Sequence, residues 1–509
     1  MDVLNSLLNG FAGALEPFNL LMGLTGAILG TLVGALPGLG PVTAIALLLP
    51  VAYGMDPIAA LIMLGGLYYG AMYGGTITAV LLNVPGEASS VMTSIDGHQM
   101  AKQGRAGVAL TVSAVASFIA GTTSVVLLML LGPAISTFAL RFGPPEYFAL
   151  MFLGLTLVSG LVGDRRAKGY AMVILGLAIA VVGLDPISGV ARFTMGSLYL
   201  DNGFGFLPIA IALFAIVEIM SNLERSARNG GRVDSIVKAG AMLPGRSDWR
   251  RSAFPIVRGT GLGFGIGALP GAGATIASFL SYSVEQKISR EPRKFGKGAI
   301  EGVASAEAAN NASTGGSLLP MLTLGIPGSG TTALLLVALI QFGFTPGPRF
   351  FVDHAEVAWV FIASMYVGNV LLVVLNTAFI PAFVRMVRSS TRYINPIVVV
   401  LAIVGVFAVQ YAVFDVWVMF VFAIVGYLLH RYGYPPAPLI LAVVLGPLAE
   451  RNLRRSLILS DGSIDVFFTR PIAATMMIVA ITVIVWPLIK PAVRHLFGKS
   501  RKVGSTGKA

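Results

Sequence analysis

Residues 34–40 read Gly-Ala-Leu-Pro-Gly-Leu-Gly, and residues 267–273 read Gly-Ala-Leu-Pro-Gly-Ala-Gly. Each lies within a long apolar stretch, and each is followed by a second Gly-rich interruption. Residues 74–86 read GGTITAVLLNVPG, and residues 315–328 read GGSLLPMLTLGIPG. Proline removes a backbone donor and clashes with the preceding helical turn. Glycine opens backbone conformations closed to other residues. Lipid tolerates no unpaired backbone, so such breaks have to be buried in protein or line a wet cavity. The expected breaks are Pro37, Gly38, Gly40, Pro85, Gly86, Pro270, Gly271, Gly273, Pro327 and Gly328.

The composition around these motifs is that of an integral membrane protein. Of 509 residues, 56% are hydrophobic and only 11% are charged, against about 25% charged in soluble domains. Mean hydropathy is +0.83. The absence of cysteine excludes disulfides and thiolate chemistry. The net charge of +12 comes from Lys and Arg gathered in loops and at the C-terminus, which membrane topology explains without nucleic acid. The N-terminus lacks the basic region of a signal peptide.

A span needs roughly 20 residues. Apolar segments lie near 18–50, 57–84, 107–131, 145–162, 168–184 and 204–220. In the second part they lie near 253–281, 306–343, 357–381, 394–412, 413–430, 436–448 and 471–489. The fold expected is all-α and polytopic, with about 10–13 transmembrane segments. Segment 306–343 is too long for one helix and is expected to split at Ile326-Pro327-Gly328. Segment 436–448 is short enough to be re-entrant or interfacial. The basic stretch 224–258 is the expected cytoplasmic anchor, which places Arg165, Arg166, Lys168, Lys102 and Arg105 inside and loop 185–203 outside. The basic segment 385–392 is also expected inside, and the parity of crossings between the two anchors requires a broken element.

The interruptions define a repeat. Pro37 to Pro270 is 233 residues, and Pro85 to Pro327 is 242. The halves are expected at 1–225 and 253–509, joined by a basic cytoplasmic connection at 226–252. An inverted relation between them is expected, with a parallel one open, and a binding site is expected where they meet.

Helix restarts after the breaks point N–H groups and a positive dipole end into the protein, a ready anion site. Few basic residues lie nearby. The expected carboxylate contacts are therefore main-chain N–H groups with the hydroxyls of Ser89, Ser90, Thr275, Ser329, Thr331 and Thr332. Simple helix capping is the competing role for these hydroxyls. Asn310 and Asn311 offer both amide donors and carbonyl acceptors, suited to a carboxylate or to Na⁺, with interhelical hydrogen bonding as the alternative. Glu307 ranks lower. Glu87, Asp96 and His98 are expected in a loop, and Asp415 at a turn. No phosphate-cradling GxxxxGK[ST] loop and no HExxH motif occurs, and no nucleophile–base pair stands out, so enzymatic activity is not expected. A channel is the rival transport reading.

These motifs resemble the large membrane subunit of the tripartite tricarboxylate transporter family, the TctA-type proteins. The similar features are GALPGLGP, the stretch 69–107 (YGAMYGGTITAVLLNVPGEASSVMTSIDGHQMAKQGRAG), GALPGAGATIASFLSY at 267–282, and EGVASAEAANNASTGGSLLPMLTLGIPGSGTTALLLVALIQFGFTPGP at 301–348. The family pattern often has Tyr where this chain has His98. The resemblance implies a multi-pass permease of the bacterial cytoplasmic (inner) membrane, taking up tricarboxylates or dicarboxylates such as citrate by symport with Na⁺ or H⁺. It implies two partners, a small membrane subunit (TctB-type) and a periplasmic substrate-binding protein (TctC-type), with no cofactor beyond the coupling cation. A carrier needing no binding protein is the alternative.

Overall fold

The computed structural model describes residues 3–36, 39–160, 166–185, 187–228, 243–378, 396–409 and 411–498. Pro37 and Gly38, most of the basic connection and the basic segment 385–392 lie outside them. The chain begins with α1 (Val3–Ala14), α2 (Pro17–Gly34), α3 (Pro41–Ala52), α4 (Pro57–Leu82), α5 (Val91–Lys102), α6 (Ala106–Ala139), α7 (Pro144–Gly160) and α8 (Arg166–Ala180). Helix α9 runs Phe206–Ala210, passes through a π-helical stretch at Ile211–Ile216 and continues as Val217–Arg228. There follow α10 (Arg246–Gly267), α11 (Gly273–Ile288), α12 (Ile300–Leu324), α13 (Gly330–Gln341), α14 (Ala355–Ala378) and α15 (Pro396–Val409). The last are α16 (Val413–Arg431), α17 (Pro436–Leu459) and α18 (Pro471–Gly498). Among the described residues the only strand pairing is Gly183–Leu184 with Ala191–Arg192, antiparallel.

Five helices are long and apolar enough to cross a membrane: α2, α4, α6, α14 over Ala355–Thr377, and α16. The shorter apolar helices include α3 and α13, and each of these follows a break. Segment 18–50 is thus two elements, α2 and α3. Segment 306–343 splits into α12 and α13, as its length demanded. Segment 436–448 is not a short re-entrant piece: α17 continues through Pro447 to Leu459. Its extension carries Glu450, Arg451, Arg454 and Arg455, which a search for uninterrupted apolar runs truncates.

Glycine sets the closest packing. A Cβ placed on Gly26, Gly30 or Gly34 of α2 would lie 2.1, 2.4 or 2.2 Å from the carbonyl oxygens of Met63, Leu67 and Ala71 on α4. A Cβ on Gly259, Gly263 or Gly267 of α10 would lie 2.5, 2.4 or 2.5 Å from those of Ser305, Ala309 and Ser313 on α12. Such small-residue seams let backbones touch where lipid gives no hydrophobic drive to associate. The glycines are offset by 233 residues and their carbonyl partners by 242, the same spacings as the two proline pairs. The two packed pairs correspond residue for residue.

Outside the apolar core, the segment between α8 and α9 is pinned to α17. Arg192 donates to Glu450 at 2.6 Å, and Arg454 donates to Asp185 at 2.6 Å. Asp415 is not in a turn; it is buried in the first turn of α16.

Candidate functional site

The site is assembled from the four interruptions. At the end of α4, Asn83 adopts a left-handed conformation (φ 55°); at the end of α12, Gly325 does the same (φ 70°). This is the usual way to stop a helix. The following Pro-Gly pairs fold back onto the earlier breaks. A Cβ on Gly86 would lie 1.8 Å from the Gly34 carbonyl oxygen, and one on Gly328 would lie 2.7 Å from that of Gly267. Helix then resumes with Glu87 capping the turn Ala88–Ser90 that leads into α5, and with Ser329 capping α13. Helix α3 restarts at Pro41 behind an extended Gly40, where proline's missing N–H costs nothing.

The interruptions meet. The Gly271 N–H donates to the Gly328 carbonyl at 2.9 Å. A Cβ on Gly273 would lie 3.5 Å from Ser329 Cβ, and one on Gly330 would lie 3.6 Å from Val42 at the start of α3. The half-helices are exchanged between the two parts: α3 packs on α13, and α11 packs on the turn Ala88–Ser90. Tyr68 of α4 brings its hydroxyl to Ser317 and Ser329.

The structure divides the hydroxyls by role. Thr332 Oγ1 accepts from the Ser329 N–H at 2.8 Å, and Ser329 Oγ accepts from the Thr332 N–H at 3.2 Å. The Ser90 hydroxyl donates to the Glu87 carbonyl at 2.9 Å and accepts from the Glu87 N–H at 3.5 Å. Ser90, Ser329 and Thr332 therefore cap their own helices. Thr331 is buried beside them. Thr275 is exposed on α11.

Two carboxylates lie buried beside the first break, Glu87 at its restart and Glu307 one helical turn from Asn310 on α12, and the sequence ranked both low. Glu87 is buried, not in a solvated loop. It receives the Ser89 hydroxyl and the Asn310 amide, the latter at 3.1 Å. Asn310 also donates to the Met72 carbonyl at 3.4 Å, and its own Oδ1 is buried without a partner. Glu307 is fully buried on α12 and receives the hydroxyls of Thr93 and Ser117. Asn311 donates to Ser117 at 2.6 Å and to the Glu307 carbonyl at 3.2 Å. Two of the donors expected to hold a carboxylate ligand, Ser89 and Asn310, thus hold the protein's own Glu87. Among the described residues both carboxylates are met by neutral partners, although buried ions ordinarily need an opposite charge.

Asp96 and His98 are also not in a loop; both are buried on α5. Asp96 is a structural hub: it accepts the N–H groups of Gly296, Gly298 and Ala299, each at 2.8 Å, and the Tyr282 hydroxyl at 2.8 Å. His98 Nδ1 lies 3.0 Å from the Val80 carbonyl.

The model of the tripartite tricarboxylate transporter TctA family matches residues 20–441, a stretch that contains all four interruptions and both carboxylates. The chain belongs to the TctA family. It is similar to an uncharacterised 52.8 kDa protein in the TAR-I ttuC' 3' region of Agrobacterium vitis, with 44% identity over 97% of this chain and 98% of the relative. It is also similar to an uncharacterised protein in the TAR-II ttuC' 3' region of the same organism, with 45% identity over 45% of this chain and 94% of that one. No solved structure matches it. Family membership and the apolar helices together make this TctA protein a multi-pass membrane component of a tricarboxylate transporter.

Proposed function

We propose that this TctA protein is the permease subunit of a secondary transporter that takes up tricarboxylates or dicarboxylates, citrate among them, by symport with Na⁺ or H⁺. The reading places it in the bacterial cytoplasmic membrane, beside a small TctB-type subunit and supplied by a periplasmic TctC-type binding protein. It has no catalytic role. The two parts, 1–225 and 253–509, move against each other about their shared breaks, with 226–252 as the cytoplasmic connection.

The observation that carries this reading is the meeting of the helix breaks, one of which carries Glu87, with Glu307 one helical turn from the Asn310 that bonds Glu87. Restarted helices supply N–H groups for an anion. Two uncompensated carboxylates repel that anion unless a cation or proton neutralises them. Binding of the two solutes is thereby made interdependent, which is what symport requires. Steady transport energy comes from the cation gradient, since no nucleotide-binding motif is present.

The test is uptake of labelled citrate, tartrate and succinate into proteoliposomes carrying the permease and small subunit, with and without the binding protein. Accumulation above the outside concentration, collapsing when the cation gradient is dissipated, is expected. Downhill equilibration alone would indicate a channel and contradict the proposal.

A further inference from the structure

Beside Glu307 lies a small polar cavity between α4, α6 and α14. Its free space is about 10 Å³, room for one water-sized occupant. Tyr73 and Thr76 face it from α4, Ser113 and Ser117 from α6, and Asn376 from α14. All five side chains are at least nine-tenths buried. The hydroxyls of Tyr73 and Ser113 and the Oδ1 of Asn376 have no hydrogen-bond partner, and the Thr76 hydroxyl turns toward Glu307. Asn376 Oδ1 can only accept, and its amide is already spent on the Leu372 carbonyl at 3.0 Å. Ser117 links the cavity to Glu307, lying 3.4 Å from its carboxylate.

Unpaired buried oxygens are costly, each by about 1–3 kcal/mol, and three around one space call for an occupant. The polar part of the lining is all hard oxygen, with Ile77, Leu110 and Ala114 completing the wall, which suits alkali and alkaline-earth cations rather than soft metals. Only one carboxylate stands at its edge, and among the described residues no group of three His, Asp or Glu could hold a multivalent metal. We propose that this cavity binds one monovalent cation of the Na⁺ class, ligated by the oxygens of Thr76, Ser113, Ser117 and Asn376 and charge-balanced by Glu307. The site deepens the symport reading and rests on it for its purpose, but its occupancy is measured without any carboxylate. It lies beyond Ser117, the partner of the Asn311 amide, apart from the Asn310–Asn311 pair at which the sequence placed a cation.

The purified protein in detergent is melted across a NaCl series, with choline chloride holding ionic strength constant. The wild type is expected to show saturable stabilisation by Na⁺. Thr76→Val and Ser113→Ala are expected to weaken the apparent affinity about tenfold, the loss of one oxygen ligand, whereas Thr76→Ser keeps it within about threefold. Ser113→Ala reads the site from the facing helix, so the outcome does not hang on one variant folding. No response to Na⁺, or an identical response in all three variants, overturns the proposal. Carboxylate uptake in proteoliposomes separates it from the transport reading. Gradient-driven uptake indifferent to Na⁺ sinks the cation site and spares the transporter. Na⁺ stabilisation lost in Thr76→Val without any carboxylate uptake by the wild type supports the site and sinks the transporter.

Discussion

The break after α4 and the break after α12 are built on one plan and carry different chemistry. Each ends its helix on a left-handed residue, Asn83 or Gly325, and turns through Pro-Gly. Each seats that glycine on a backbone carbonyl and restarts under a cap three residues before a hydroxyl. The cap is Glu87 in the first and Ser329 in the second. About four to five turns upstream the contrast recurs: the offset that aligns the breaks sets Tyr68 and Tyr69 of α4 against Asn310 and Asn311 of α12, and Gly65 against Glu307. The shared plan is backbone geometry, set by where glycine and proline fall. The differences concentrate polar groups where the two parts meet. The first break supplies Glu87, and the second part supplies Asn310 and Glu307.

The comparison breaks most sharply at the seated glycines. Gly86→Ala would press a methyl to 1.8 Å from the Gly34 oxygen, whereas Gly328→Ala would press one to 2.7 Å from that of Gly267. Overpacking of this kind costs about 1–3 kcal/mol, occasionally more. Gly86→Ala is expected to lose most folded protein, and Gly328→Ala to lose less, as read by the monodisperse fraction and melting temperature in detergent. Equal, mild effects would show that the breaks are not closely seated.

The chemistry is tested next. Glu87→Gln keeps the shape of the cap and removes its charge. It is expected to cut coupled uptake about tenfold, roughly 1.4 kcal/mol, with melting unchanged or improved because an uncompensated buried charge is gone. Ser329→Ala at the matching position removes only a cap, worth about 1 kcal/mol, and is expected to lower the melting temperature more than the uptake per folded molecule. The reverse pattern would exchange the roles of the two caps.

A smaller effect is expected at the Asn310 amide, which bonds Glu87, and at the Thr331 hydroxyl, buried beside the second cap. Asn310→Ala and Thr331→Ala should lower uptake severalfold, the scale of one lost hydrogen bond, without lowering membrane insertion. Normal uptake kinetics in both would remove them from the site.

The smallest effect lies outside the core, at Asp185. The backbone N–H groups of Ser188 and Ile187, and then Arg454, hold its carboxyl well below the usual carboxylate range. A depressed value means that its contribution is present at all pH above the unfolded value, about 4, and is lost only as pH falls through the lowered folded value. Asp185→Asn is therefore expected to lower the melting temperature slightly and equally at pH 8 and pH 5. A loss seen only at pH 8 would contradict this.

The breaks were legible in sequence because proline and glycine act locally: the split at Ile326-Pro327-Gly328 and the restart at Pro41 follow from residue identity alone. The repeat was legible because matched motifs fix an offset. Glu87 and Glu307 were undervalued because burial is a tertiary property. Glu87 sits in a polar run, EASSVMTSIDGH, that reads as a loop, yet α12 covers it. Asp96 was misread for the same reason, since its three N–H donors lie some 200 residues away. The end of α17 was missed because polar residues can extend a helix beyond its apolar portion.

The chain's lack of cysteine allows the central claim to be tested directly. Ala88→Cys and Ser329→Cys each place one thiol at a restarted helix, in the first and the second part respectively. Labelling by a water-soluble maleimide is measured with and without citrate in NaCl. The account predicts that both thiols react and that both are protected over the same citrate concentration range, because the two breaks border one site. Reaction of both with no protection at either, or protection at one alone, would contradict it.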